Sequence, residues 1–216
     1  MPLLAVGLLL AVGAGVRVVV RATADSRQRT AVVLAFGCLV AAFFGGDGLI
    51  PLAVVEGLDR GVVASAVALG AGLVAWSVTG LVPARIGRRP DPKVVGAVLV
   101  VLALLAEAVA QTGLLGPTAA LVVVVAAWGM AGFGIGIAYV QMSAQAFDSL
   151  APERVAAVAG AVAFAETASV VVGSLLGAGS YSLATGLHVD AGTGIQVGFL
   201  LVAGVGALGV VLAARR

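Results

Sequence analysis

Charge is scarce in this chain. Only 10% of its 216 residues are Asp, Glu, Lys or Arg, whereas a soluble domain carries about a quarter. So few charged groups cannot cover a globule in water, which excludes a soluble enzyme, a nucleic-acid binder and a disordered segment. Cysteine is nearly absent, and Cys38, standing alone inside an apolar run, has no internal disulfide partner. Histidine is equally rare: His188 is the single example, beside Asp190 in a loop, and by itself it cannot build a metal site. No cofactor or metal is expected. Strict apolar–polar alternation is missing too, and the apolar runs far exceed the roughly 10 residues of a barrel strand, so a membrane β-barrel is excluded.

What remains is apolar: 62% of the residues, with a mean hydropathy of +1.19. An all-α membrane protein follows, because a spanning helix takes about 20 such residues. Charge and turn residues divide the sequence into seven expected spans, Pro2–Val20, Ala31–Val54, Gly61–Pro83, Val94–Thr112, Pro117–Val140, Val155–Tyr181 and Ala191–Ala214. The first is not a signal peptide, because its flanking charges, Arg17 and Arg21, follow the apolar stretch rather than precede it. It also lacks an N-terminal cap, so the chain is expected to begin in the middle of an ancestral sequence.

The basic residues give the orientation. With seven spans, Arg17, Arg21, Arg27, Arg29, Arg85, Arg88, Arg89, Lys93, Arg154, Arg215 and Arg216 share one face, and Arg60 alone lies on the other. The positive-inside rule then places the C-terminus in the cytoplasm and Met1 outside, in a multi-pass protein of the cell membrane. Membrane lipids are its expected surroundings, and nucleic acid is not an expected partner.

Three carboxylates fall within expected spans: Asp47, Glu107 and Glu166. An unpaired carboxylate in hydrocarbon either takes up a proton or faces a wet cavity. Glu166 lies about 17 Å from the cytoplasmic end of its span at 1.5 Å per residue, near the midplane. Asp47 lies further out. Both have either a proton-coupling role or a structural one as protonated carboxyls bonded between helices. Glu107, close to the outer end, is expected to snorkel to the interface. Trp76 and Trp128 can each line a cavity or pack, and Tyr139, Gln141 and Gln145 are weaker candidates, with Tyr139 expected as an interfacial anchor.

Glycine carries several patterns. Gly204-Val205-Gly206-Ala207-Leu208-Gly209 matches a dinucleotide fingerprint, but no strand precedes it and no acidic partner follows, so it is rejected. Gly173-x-x-x-Gly177 and Gly194-x-x-x-Gly198 read as close helix-packing faces. Gly132, Gly134 and Gly136 can loosen the fifth span for bending or serve packing alone.

Gly80-Leu81-Val82-Pro83-Ala84-Arg85-Ile86-Gly87-Arg88-Arg89 ends the third span. Taken alone, it reads as an arginine anchor at the cytoplasmic surface. Its spacing of Gly80, Arg85, Gly87, Arg88 and Arg89 resembles the loop signature of the major facilitator superfamily, with Ala84 where the family usually has an acidic residue. Phe43-Phe44-Gly45-Gly46-Asp47-Gly48-Leu49-Ile50-Pro51-Leu52 is similar to the seventh helix of bacterial drug-efflux members, Trp128–Tyr139 to their tenth, and Ala161–Gly179 to their eleventh. The resemblance implies a C-terminal half: a leading helix at 2–20, then two inverted three-helix repeats at 31–112 and 117–214, together a single transmembrane domain over 1–216. It implies secondary active, proton-coupled efflux of small hydrophobic or cationic compounds, with Asp47, Glu166 and Trp76 as coupling or substrate residues. It also implies that the fourth span is peripheral.

An intramembrane enzyme is not expected. No serine–histidine pair stands on two spans, and the only lysine, Lys93, is in a cytoplasmic loop. Because the family binds substrate between two six-helix halves, this chain is expected to need an N-terminal half or a second copy. A non-transporting membrane scaffold is the alternative.

Overall fold

A computed structural model describes residues 2–79 and 91–215, with side chains from residue 12 onward. Gly80, Arg85, Gly87, Arg88 and Arg89 lie outside the described residues. The described chain is helical and contains no strand. Its long helices are α1 (Pro2–Ala22), α2 (Arg27–Asp47), α3 (Val62–Thr79), α4 (Pro92–Ala110), α5 (Pro117–Ala146), α6 (Val155–Gly186) and α7 (Ala191–Ala214). Among the described residues six of them, α2 to α7, are long and apolar enough to cross a membrane, and a chain with so many such helices is a multi-pass integral membrane protein.

Local chemistry sets the helix ends. Ser26 accepts a hydrogen bond from the Arg29 backbone N–H at 3.2 Å, which starts α2 at Arg27, four residues before the expected boundary. Asp91 caps α4 in the same way through the Lys93 N–H, also at 3.2 Å, with Pro92 at the first helical position. Asp190 caps α7 through Thr193 N–H at 3.0 Å. The polar ends of α5 and α6 extend to Ala146 and Gly186, beyond the apolar runs that marked them in the sequence.

The second expected span is not one continuous α-helix. α2 ends at Asp47, a single helical turn follows at Ile50–Leu52, and a π-helical turn occupies Ala53–Gly57. Gly48 and Pro51 account for the break, because proline has no backbone N–H to donate and glycine loses the most backbone freedom on entering a helix.

α2 and α5 are the central helices. α2 packs against α6 and α7, whereas α5 packs against α3 and α4, and α4 meets α7. Thus the first helix of each consecutive set of three grips the second and third helices of the other set. α1 leans mainly on α6. The fourth span, α4, is closely packed against α5 and α7 and touches α2.

Small residues make these crossings close. In a bilayer the lipid is as apolar as the side chains, so helices associate through contact and hydrogen bonding rather than through burial from water. A Cβ added to Gly132 would overlap the carbonyl of Gly72, and one on Gly173 would overlap that of Ala41. At Gly134 it would stand 2.6 Å from the Gly96 carbonyl oxygen. At Gly177 it would overlap the Gly45 carbonyl, and at Gly136 the Thr79 hydroxyl. These glycines sit at α3–α5, α4–α5 and α2–α6 contacts, and α5 runs unbroken through its three.

Candidate functional site

One end of the bundle is held by an ionic network. Arg29 is buried, donating from Nε to the Ala146 carbonyl at 3.0 Å and from Nη2 to the Asp148 carbonyl at 3.1 Å. Its Nη1 pairs with Asp25. Arg154 donates to the Ala22 carbonyl at 2.7 Å and to Asp25 at 3.1 Å. Lys93 Nζ donates to Gln145 Oε1 at 2.8 Å, so Gln145 is a tie between α4 and α5. Asp25 lies outside the spans. Partial burial raises its carboxyl, but the Arg29 hydrogen bond, a hydrogen bond from its own backbone, and the charges of Arg29 and Arg154 outweigh that and hold it below the usual aspartate value.

Toward the middle of the bundle, α5 and α6 barely touch. Across this gap Tyr139 donates its hydroxyl to Glu166 Oε1 at 2.7 Å. Tyr139 is therefore a hydrogen-bond partner of an intramembrane carboxylate and not simply an interfacial anchor, and Glu166 is half-buried. No basic side chain pairs with Glu166 among the described residues.

Aromatic rings converge beside this pair. The ring of Phe36 on α2 lies 4.9 Å from that of Tyr139, and Trp76 on α3 lies 5.9 Å from it. Trp76 in turn meets Phe43 edge-on at 5.3 Å. Phe43 stacks on Trp128 at 4.9 Å with an interplanar angle of 18°. Trp128, Phe36 and Phe43 are enclosed, whereas Trp76, Tyr139 and Phe44 keep open faces. A cavity of about 310 Å³ adjoins Trp76, bounded by Leu73, Ser77, Thr79, Gly136 and Val140. A carboxylate next to aromatic faces in low dielectric attracts an organic cation, through charge and through the ring quadrupoles.

The candidates from the sequence are not all brought together. Glu166 and Trp76 share this site through Tyr139. Asp47 is not brought to the Tyr139–Glu166 pair: it ends α2 one turn beyond Phe43 of the aromatic cluster but eleven residues beyond Phe36, the α2 ring that meets Tyr139, about 16 Å along the helix axis. It is half-buried and makes no hydrogen bond or ion pair among the described residues. Glu107 departs furthest from expectation. It is fully buried rather than snorkelling, because its face of α4 turns into the bundle. Phe36 was not singled out from the sequence, and Phe43 and Trp128 were not linked to Glu166 there. Their signal was present in the spacing: Phe36 and Phe43 are seven apart, and Trp128 and Tyr139 eleven apart, so each pair shares a helix face. No group of His, Cys, Asp and Glu suited to a metal stands together among the described residues.

No protein-family model matches the chain, and none of the curated proteins is similar to it.

Proposed function

We propose that this chain is the C-terminal half of a proton-coupled secondary transporter of the major facilitator type, exporting small hydrophobic or cationic compounds. The observation that carries the reading is the Tyr139–Glu166 pair: a half-buried carboxylate without a basic partner among the described residues, between two spanning helices that otherwise hardly touch, with Trp76 and Phe36 alongside. Such a group can exchange a proton for a cation at the same oxygens, which is the chemistry of antiport. In this reading Glu166 holds the proton or the cation, Tyr139 positions its carboxylate, and Trp76 supplies an aromatic wall. Asp47 is a second coupling candidate toward the outer end.

Two further features support it. The exchange of partners between α2–α4 and α5–α7 is what two inverted three-helix repeats would produce. The least buried spans are α3 and α6, the helices that flank the aromatic site and would face a second half. By the positive-inside rule, the end carrying Arg29, Lys93 and Arg154 is cytoplasmic. Transport then requires an N-terminal half or a second copy as the opposite wall. The alternative of a membrane scaffold gains no specific observation.

Binding is the direct test. Both tryptophans belong to the aromatic cluster, so a lipophilic cation should quench their fluorescence in the purified chain. Glu166→Gln should weaken that binding about tenfold, equivalent to about 1.4 kcal/mol. Equal affinity in the two proteins would remove Glu166 from the site. Proton-driven efflux by the monomer alone in proteoliposomes would overturn the need for a second half.

A further inference from the structure

The outer end of α4 holds two polar side chains that the aromatic site does not use. Glu107 is fully buried, and neither carboxylate oxygen has a hydrogen-bond partner. One turn further along the same face, the amide nitrogen and oxygen of Gln111 are likewise enclosed and unpartnered. The cover over Gln111 is the π-helical turn Ala53–Gly57. A Cβ on Gly57 would overlap Gln111 Oε1 and would meet Ile195 Cδ1 on α7 at 3.5 Å. On the inward side, Leu104, one turn before Glu107, reaches the position where a Cβ on Gly46 would lie 2.6 Å from it and 3.1 Å from Trp128. Glu107 is thus enclosed between Leu104 and the covered amide of Gln111.

No opposite charge pairs with it among the described residues. α5 brings Tyr139 as its one titratable side chain, and α7 brings none between Ala191 and Ala214. From the outer end of α2 and its continuation come Asp47, Glu56, Asp59 and Arg60, with Arg27, Arg29 and Cys38 further back along α2, and from the loop before α7 come His188 and Asp190. None of these pairs with Glu107; the Nε of Arg60 is itself buried without a partner. An ionised carboxylate enclosed in this way carries a desolvation penalty of several kcal/mol per ion, whereas the neutral acid carries only the smaller cost of an unpaired hydroxyl and carbonyl, about 1–3 kcal/mol.

We propose that Glu107 is a second proton-binding site, which keeps its proton while the π turn covers Gln111 and passes it to water when that turn lifts. On release the O–H bond of the acid breaks, its electron pair stays on the carboxylate, and water arriving past Gln111 accepts the proton. Uptake is the reverse. A π turn is a natural place for such opening, since its hydrogen bonds are already displaced from the α-helical register. A role for this proton in coupling rests on the transporter reading above; the proton-binding site itself does not.

Infrared spectroscopy of the purified chain in lipid tests it without substrate. Near neutral pH the wild type should show a protonated-carboxyl band that is absent in Glu107→Gln and retained in Asp47→Asn and Glu166→Gln. Should Glu107→Gln not fold, Glu107→Asp should shift the same band. Gly57→Ala, whose new methyl group takes the place of Gln111 Oε1 and pushes that flexible amide out from under the turn, should make the band disappear at a lower pH than in the wild type. The proposal is overturned if no such band exists, if it survives in Glu107→Gln, or if Gly57→Ala leaves its pH response unchanged. Failure of cation binding at Glu166 would leave all these outcomes unaffected, so the two readings fall separately.

Discussion

The hydroxyl of Tyr139 reaches Glu166 Oε1 across 2.7 Å, linking α5 to α6 where those helices make almost no other contact. A single bond of this kind inside a membrane contributes only about 0.6 kcal/mol on average, because partners are also found in the unfolded state. Tyr139→Phe should therefore cost little stability, below about 1 kcal/mol. It should nevertheless alter cation binding, since Glu166 loses its positioning donor. Unfolding in mixed micelles and tryptophan quenching measure the two effects; a large loss of stability with unchanged binding would make the pair purely structural.

If Glu166 or Asp47 couples protons in the assembled transporter, its neutral amide should abolish the pH dependence of transport. Glu166→Gln is expected to have the larger effect, because Glu166 is bonded to Tyr139 beside Phe36, whereas Asp47 stands about 16 Å along α2 from Phe36 and makes no such bond. Unchanged pH dependence in both variants would assign them to structure.

Asp25 joins Arg29 and Arg154, and so ties the α1–α2 loop to the start of α6. Its carboxyl is held below the usual aspartate value in the folded chain, by interactions with the two arginines and its own backbone that outweigh partial burial. The stabilisation is therefore complete above the unfolded-state value and is lost as pH falls through the folded one. Unfolding midpoints of the wild type and Asp25→Asn should differ near neutrality and converge in acid. Parallel curves would mean that the charge of Asp25 contributes nothing.

Arg29 binds more tightly than a lysine could, with three nitrogens directed to three different groups. Arg29→Ala should cost about 1.5–3 kcal/mol, the range for hydrogen bonds made by charged groups. Arg29→Lys should not restore it, because an ammonium lacks the fixed fork. Equal stability of the lysine variant and the wild type would show that charge alone matters here.

Glycines in this bundle should separate into two classes. Gly132→Ala drives a methyl group into the Gly72 backbone and should part α3 from α5, whereas Gly204→Ala meets nothing within 4 Å. The second should be neutral or stabilising by about 0.5–1 kcal/mol, the ordinary helical preference for alanine. Thermal unfolding of the two variants in detergent distinguishes them, and similar behaviour would show that the crossing relaxes freely.

Much of the architecture is legible along the chain, because spanning helices need only length, apolar content and polar punctuation. α7 occupies Ala191–Ala214 as expected, since Asp190 caps one end and Arg215 interrupts the apolar run at the other. The break after Asp47 was signalled by Gly48 and Pro51, although the hydropathy there gives no sign of it. Facing could not be read in the same way. A helix apolar on every side has no polar stripe to indicate which face turns inward, and nothing along α4 says whether Glu107 meets lipid or neighbours. Packing decided that: α4 set against α5 and α7 encloses Glu107, and α5 set beside α6 aims Tyr139 at Glu166. The scarcity of charge placed this chain in a bilayer, while the partner of each remaining charge was left to the close approach of glycine-lined helices.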